Sequence, residues 1–283
     1  MSLNSILIGI GTRLTILRRH DYVTSFEIAV ARFRTMLHAV SSGCFAVVIR
    51  RAYRFYSVDK MVNVEKFINI WQTADAVTFD VDSTVIADEG IDELARFCGK
   101  GEEICELTKQ AMQGDMTFQQ SLSMRLRIIN PSLTKIKEFL NAHQPKLTNG
   151  IKELVSALQA HGKHVFLVSG GFHCLIAPVA KQLNIPRENI YANRLKFYFT
   201  GEFAGFDENQ PTSRNGGKAE VIEHLKKEKG FKCVIHIGDG STDMEASPPA
   251  DAFIGFGGNV IRESVKARAE YFVMNFDDLR RNL

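Results

Sequence analysis

Cysteine is scarce and irregularly placed: Cys44, Cys98, Cys105, Cys174 and Cys233 are odd in number and form no CxxC pair. That usage excludes a disulfide framework, argues against a zinc site and predicts reduced thiols in an intracellular compartment. The single Asn-x-Ser triplet, Asn130-Pro131-Ser132, is barred from glycosylation by its proline, which agrees with a chain that is not exported. Long apolar runs are also missing. The longest, about Met36 to Ile49, is broken by His38, Ser41 and Ser42 and falls short of the roughly 20 residues a membrane span needs, so no transmembrane helix is predicted. No HxH or HExxH pair accompanies His164, His173 and His236. Gly217-Lys218 lacks the rest of a P-loop, and Gly255-Phe256-Gly257-Gly258 lacks the third glycine of a dinucleotide fingerprint. There is no tight Lys/Arg run that would suggest nucleic-acid binding, no repeat and no low-complexity tract.

What remains is ordinary globular composition, 45% hydrophobic over 283 residues, with one asymmetry. Residues 1–60 hold eight Arg and one Lys against three acids, a net of +6, so with +3 overall residues 61–283 carry −3. This Arg-rich, acid-poor front end, with scattered Ser and Thr, reads as a basic N-terminal extension, either a transit peptide or disordered. The location expected is cytoplasmic, with a mitochondrial or other organellar destination as the alternative if residues 1–60 are a targeting segment.

From Ala76 the pattern sharpens. Ala76-Val77-Thr78-Phe79 reads as a buried strand that delivers Asp80 and Asp82 to its end. Helical spacings then fill residues 91–141, interrupted at Gly99, Gly114 and Asn130-Pro131. Helix and strand alternate afterwards. A helix over Ile151–Leu158 precedes the strand His164–Val168, which ends in Ser169-Gly170-Gly171. A helix from Leu175 to Leu183 and another from Lys218 lead to the strand Cys233–Ile237, which ends in Gly238-Asp239-Gly240-Ser241-Thr242-Asp243. Short strands at Ala252–Ile254 and Tyr271–Val273 follow, and residues 195–206 read as a β-hairpin appended to the sheet. Such alternation predicts an α/β fold with a parallel sheet, where ligands bind at the carboxyl ends of the strands.

Each polar cluster has an ordinary reading as a turn or an exposed side chain, but three of them lie at strand ends. Asp80 and Asp82 suit paired-acid chemistry; Ser169 and the following glycines suit an anion cradle. Lys218 opens a helix, where an ammonium is unfavourable unless an anion lies nearby. Asp239 and Asp243 offer oxygen ligands for Mg²⁺.

In this order the clusters resemble the four motifs of the haloacid dehalogenase (HAD) superfamily, and the likeness narrows to the phosphoserine phosphatase family. The narrowing rests on Asp80-Val81-Asp82-Ser83-Thr84-Val85, Glu89-Gly90-Ile91-Asp92-Glu93-Leu94, Leu167–Phe172, Asn193-Arg194-Leu195, Gly216-Gly217-Lys218 and the stretches Gly238–Ala246 and Pro249–Asn259. The resemblance covers Met61 to the C-terminus. It implies a Rossmann-like HAD core over 61–88 and 147–283, with a helical cap inserted at 89–146. It further implies Mg²⁺-dependent hydrolysis of O-phospho-L-serine through a phosphoaspartyl intermediate, the final step of phosphorylated serine biosynthesis, by a homodimer. In that scheme Asp80 is the nucleophile and Asp82 the general acid and base. Mg²⁺ is held by the Asp80 carboxylate, the Asp82 carbonyl and Asp239, with Asp243 in support. Glu89, Met112, Gln113, Arg125, Ser169, Gly170, Gly171, Lys218 and Thr242 contact the substrate. Gln113 departs from the pattern, because the family usually has glycine there.

Overall fold

In the computed structural model, residues 65–111 and 117–283 are described. The expectations for residues 1–60, and for Met112 and Gln113, lie outside them. Residues 65–283 form one compact unit.

Six parallel strands make the central sheet: β1 (Ala76–Phe79), β2 (His164–Phe172), β3 (Ile190–Asn193), β6 (Val234–Gly238), β7 (Ala252–Phe256) and β8 (Tyr271–Val273). Their order is β3-β2-β1-β6-β7-β8. Strands buried on both faces should read as unbroken apolar runs, and β1, β6 and β7 are buried along their whole lengths. Alternation divides the core. Val77, Phe79, Val165, Leu167, Ile235 and Ile237 pack with the helices Ile151–Ala160 and His173–Gln182 and with helical residues 65–73. Ala76, Phe166, Val168 and Val234 face the other way, against Val221, Ile222 and Leu225 of the helix Gly217–Lys229.

After β1 the chain crosses to β2 on one side, and later returns to β6 on the other. The carboxyl ends of β1 and β6 therefore flank the point where the strand order reverses, the crevice in which doubly wound sheets bind ligands.

Between β1 and β2 lie the helices Gly90–Phe97, Gly101–Ala111, Phe118–Ile129 and Leu133–Ala142. Leu94, Ala95, Ile104, Ile129, Ile136 and Phe139 give them a core of their own. Their limits are locally encoded. Thr117 and Gln120 form a reciprocal cap at the start of the third helix, Asn130 ends it in a left-handed conformation (φ 44°), and Ser132 caps the fourth. The two chains entering and leaving this helical insert run side by side at its base: Ala87 N–H donates to Lys146 O at 3.0 Å, Thr148 N–H donates to Val85 O at 2.9 Å, and Ile86 bridges Leu147.

The hairpin over residues 195–206 is present as β4 (Leu195–Phe197) and β5 (Phe203–Phe206), but it forms its own two-stranded sheet and does not join the main one. Its apolar residues explain the difference: Leu195, Phe197, Phe203 and Phe206 pack toward the insert's helices, so that face is already covered.

Candidate active site

β1 ends at Phe79, and Asp80 N–H donates to Ile237 O at 2.8 Å, which ties the start of the following loop to β6. Asp80 is buried. Its Oδ1 lies 2.8 Å from Lys218 Nζ, and the same ammonium contacts Asp243 Oδ1. Lys218 is thus a buried ion-pair partner of two carboxylates.

Lys218 reaches that position because the turn before it comes unusually close to a neighbouring segment: a Cβ on Gly217 would stand 1.8 Å from the Pro211 carbonyl oxygen. Gly217→Ala is expected to lose about 1–3 kcal/mol of stability, since backbone and not a movable side chain must give way. Urea unfolding measures it, and an unchanged midpoint would contradict this packing.

Asp239, at the end of β6, accepts from Arg262 Nε at 2.7 Å. Carboxylate oxygens of Asp80, Asp239 and Asp243 all lie within 4.8 Å of one another. Burial pushes the Asp80 carboxyl well above the usual range, and neighbouring Asp243 raises it further against the pull of Lys218. Burial likewise raises Asp239, partly offset by Arg262. For Asp243 the cost of burial is outweighed by Lys218 and His236, so its carboxyl is held low and charged. Lys218 loses basicity to burial but gains more from Asp243 and Asp80, and remains an ammonium. Buried, mutually repelling carboxylates with all-oxygen donors are the arrangement a hard divalent cation relieves, so the residues fit Mg²⁺.

Asp82 Oδ1 accepts the Gly90 N–H at 2.8 Å. Burial, and then the charge of Glu89, raise its carboxyl to about 7. Space for it depends on Gly171, where a Cβ would meet Asp82 Oδ2 at 3.0 Å and Ser169 Oγ at 3.2 Å. Ser169 is fully buried within β2, which does not stop at Val168 as expected but runs on irregularly through Gly170 and Gly171 to pair Phe172 with Asn193; its Oγ accepts from Gly171 N–H at 3.0 Å.

Asp80, Asp82, Lys218, Asp239 and Asp243 open into a cavity of about 250 Å³ beneath the helical insert, whereas Ser169 lies behind its lining. Asp80, Asp82, Glu89, Arg125, Gly170, Gly171, Lys218, Asp239 and Thr242 all line it, so the fold brings together sequence-predicted residues spread over 160 positions. Glu89 stands at the base of the insert, accepting from Ser83 Oγ at 2.7 Å; Arg125 projects from the helix Phe118–Ile129. Gly170 permits close approach from above, because a Cβ there would meet Phe118 Cζ at 2.7 Å.

Two contributors, Arg262 and Thr212, were not legible in the sequence. Arg262 joins Asp239 and also comes within 3.7 Å of Glu89. Thr212 and Asn193, both buried, hold each other (Oγ1–H to Oδ1, 2.9 Å), and Asn193 Nδ2 donates to Gly170 O at 2.8 Å, tying the irregular end of β2 to β3. His236, read as a core histidine, is indeed fully buried and bonds to Asp243 Oδ1 at 2.9 Å and to Thr78 at 2.7 Å.

A parallel sheet with this strand order, three carboxylates at two neighbouring strand ends, a buried lysine and a helical insert after the first strand define a HAD-like hydrolase. The model of that family, haloacid dehalogenase-like hydrolase, matches residues 74–251. Phosphoserine phosphatase of Bos taurus is 55% identical over 219 residues, covering 77% of this chain and 97% of the bovine one. The chloroplastic phosphoserine phosphatase of Arabidopsis thaliana is 48% identical over 79% of this chain and 76% of its own. Among solved structures, a phospho-aspartyl intermediate analogue of phosphoserine phosphatase superposes with a TM-score of 0.62 at 28% identity, covering 71% of this chain and 94% of that one. The chain belongs to the phosphoserine phosphatase family of the HAD-like hydrolases.

Proposed function

We propose that the protein hydrolyses O-phospho-L-serine to L-serine and phosphate in a Mg²⁺-dependent reaction that passes through a phosphoaspartyl intermediate on Asp80, as the final step of phosphorylated serine biosynthesis. The observation that carries this reading is the cavity itself: Glu89 and Arg125 line the same cavity as Asp80 and Lys218, so one small molecule can present an ammonium, a carboxylate and a phosphate at once.

The Asp80 carboxylate attacks phosphorus, with Lys218 beside it to hold the phosphate oxygens. Asp82 carries a proton near neutrality and gives it to the departing seryl oxygen, then takes one from the attacking water; such transfer is typically worth about 10²–10⁴ in rate. The Asp80 carboxylate, the Asp82 carbonyl and Asp239, supported by Asp243, would hold Mg²⁺, which when bound offsets the charge of a dianion entering an acidic site. Ser169, Gly170 and Gly171 complete the cradle, Thr242 contributes from its rim, and Met112 and Gln113 contact the substrate. Arg125 takes the substrate carboxylate through paired hydrogen bonds and Glu89 takes its ammonium.

The test is phosphate release from O-phospho-L-serine, phosphoethanolamine and a phosphoserine peptide. Free phosphoserine is expected to be preferred, and Arg125→Ala to raise its KM about 10- to 100-fold while leaving phosphoethanolamine little changed. Equal rates on the peptide, or an indifferent Arg125, would sink the assignment. The homodimer is a further proposal, read by sedimentation; so is a cytoplasmic location, with an organelle as the alternative, read by imaging the tagged chain.

A further inference from the structure

Ser83, next to Asp82, is a non-glycine residue in the left-handed region, with φ 55° and ψ 2°. Few residues adopt that conformation without being held there, since the side chain crowds the backbone. Here it does two things. It turns the Ser83 hydroxyl to donate to Glu89 Oε1 at 2.7 Å, and it follows the bend at which Asp82, three residues beyond β1, meets the Gly90 N–H.

What holds Ser83 comes from the loop after β7, at the same carboxyl end of the sheet. Asn259, beyond β7, directs its side-chain amide at Ser83 O at 3.1 Å and at Thr148 Oγ1 at 2.6 Å, with the carbonyls of Thr84 and Ile86 also within 3.4 Å. Thr148 in turn donates its hydroxyl to Thr84 O at 2.7 Å. An amide with two N–H groups surrounded by acceptors is well satisfied, and its removal takes the side-chain donor from the Ser83 carbonyl, whereas Thr84 O keeps the Thr148 hydroxyl. No step of the reaction described above uses Asn259.

We propose that Asn259 is a positioning residue: by holding the Ser83 carbonyl it keeps Ser83 left-handed, and through that one conformation it aims both the Asp82 carboxyl and, by way of the Ser83 hydroxyl, Glu89. The inference rests on the roles given above to Asp82 and Glu89.

Glycine takes φ +55° at no steric cost, so it separates the conformation of residue 83 from the group that enforces it. Four forms of the full chain test the idea: wild type, Ser83→Gly, Asn259→Ala and the double variant. Asn259→Ala is expected to lower kcat about tenfold, the size of a left-handed penalty no longer opposed. Adding Ser83→Gly should return kcat to within about threefold of wild type and raise the thermal midpoint of Asn259→Ala. KM for O-phospho-L-serine should stay raised in both glycine variants, because the hydroxyl that orients Glu89 is gone. Additive losses, with no recovery of kcat or midpoint in the double variant, would overturn the proposal. So would a double variant that fails to fold when Asn259→Ala does. If wild type turned over a small phosphomonoester other than phosphoserine, the substrate reading would fail, yet the kcat and midpoint rescue would still be read on that ester.

Discussion

Asp80→Asn is expected to reduce phosphate release from O-phospho-L-serine by at least about 10⁴-fold, because removal of a nucleophile that acts as one unit with its neighbours removes nearly all of the chemistry. Asparagine keeps the shape of the side chain and an oxygen for Lys218, whose Nζ lies 2.8 Å from Asp80 Oδ1, but has no carboxylate to attack phosphorus. The same change removes a buried charge that Asp243, Asp239 and Asp82 all repel. Activity should therefore vanish while the metal-free thermal midpoint stays level or rises. Asp82→Asn should cost less, about 10²–10⁴, since it removes only proton transfer. A trapped acyl phosphate detectable in Asp82→Asn and absent in Asp80→Asn would locate the intermediate. Residual turnover in Asp80→Asn comparable to Asp82→Asn would overturn the assignment of the nucleophile.

Sequence pattern reached the strands that carry chemistry because burial on both faces leaves a plain signature. Ala76–Phe79 and Val234–Gly238 are short apolar runs that stop at acids, and both are fully buried strands with Asp80 and Asp239 at their ends. Ile190–Asn193 gave no such signature, being four residues with Tyr191 and Asn193 among them, and it became an edge strand only by pairing with β2. The hairpin was legible as a hairpin but not in its placement, because alternation shows that one face is covered and not what covers it. Within the site, the residues found lay within the motif stretches, apart from Arg125, which only the family resemblance assigned. Arg262 is 23 residues from Asp239, its closest partner, and Asn259 lies 176 from Ser83; contacts across such separations are made by the fold and leave no local spacing to read. His236 was visible as a polar residue in an apolar run, and only the register that sets Thr78 beside it explains how it is satisfied.

The second large effect concerns stability. Asp82 titrates near 7 in the folded chain against an ordinary value near 3.8, so the folded state keeps a proton that the unfolded chain has already released. Stability from this group is therefore fully present below about pH 4 and is lost as pH rises through 7, by up to about 4 kcal/mol. Asp80, Asp239 and Glu89 are shifted in the same direction, chiefly by burial, and add to the loss. The neutral imidazoles of His236 and His173 work the other way, since burial lowers both and the unfolded chain holds their protons up to about 6.5. The comparison that isolates Asp82 is thus the difference between wild type and Asp82→Asn, in which the histidine contributions cancel. Asparagine can still accept the Gly90 N–H, so in metal-free buffer the variant should gain on wild type from pH 5 to about pH 7 and level off by pH 8, by on the order of 2–3 kcal/mol in urea unfolding. Mg²⁺ should then stabilise wild type more at pH 8 than at pH 6, because it binds the ionised carboxylates that destabilise the empty site; at 100 times its Kd the gain is about 2.7 kcal/mol. Asp239→Asn should weaken that gain while raising the metal-free midpoint. A wild type and Asp82→Asn pair whose difference is flat between pH 5 and pH 8 would mean that Asp82 is ionised throughout, and the general acid would then have to be sought elsewhere.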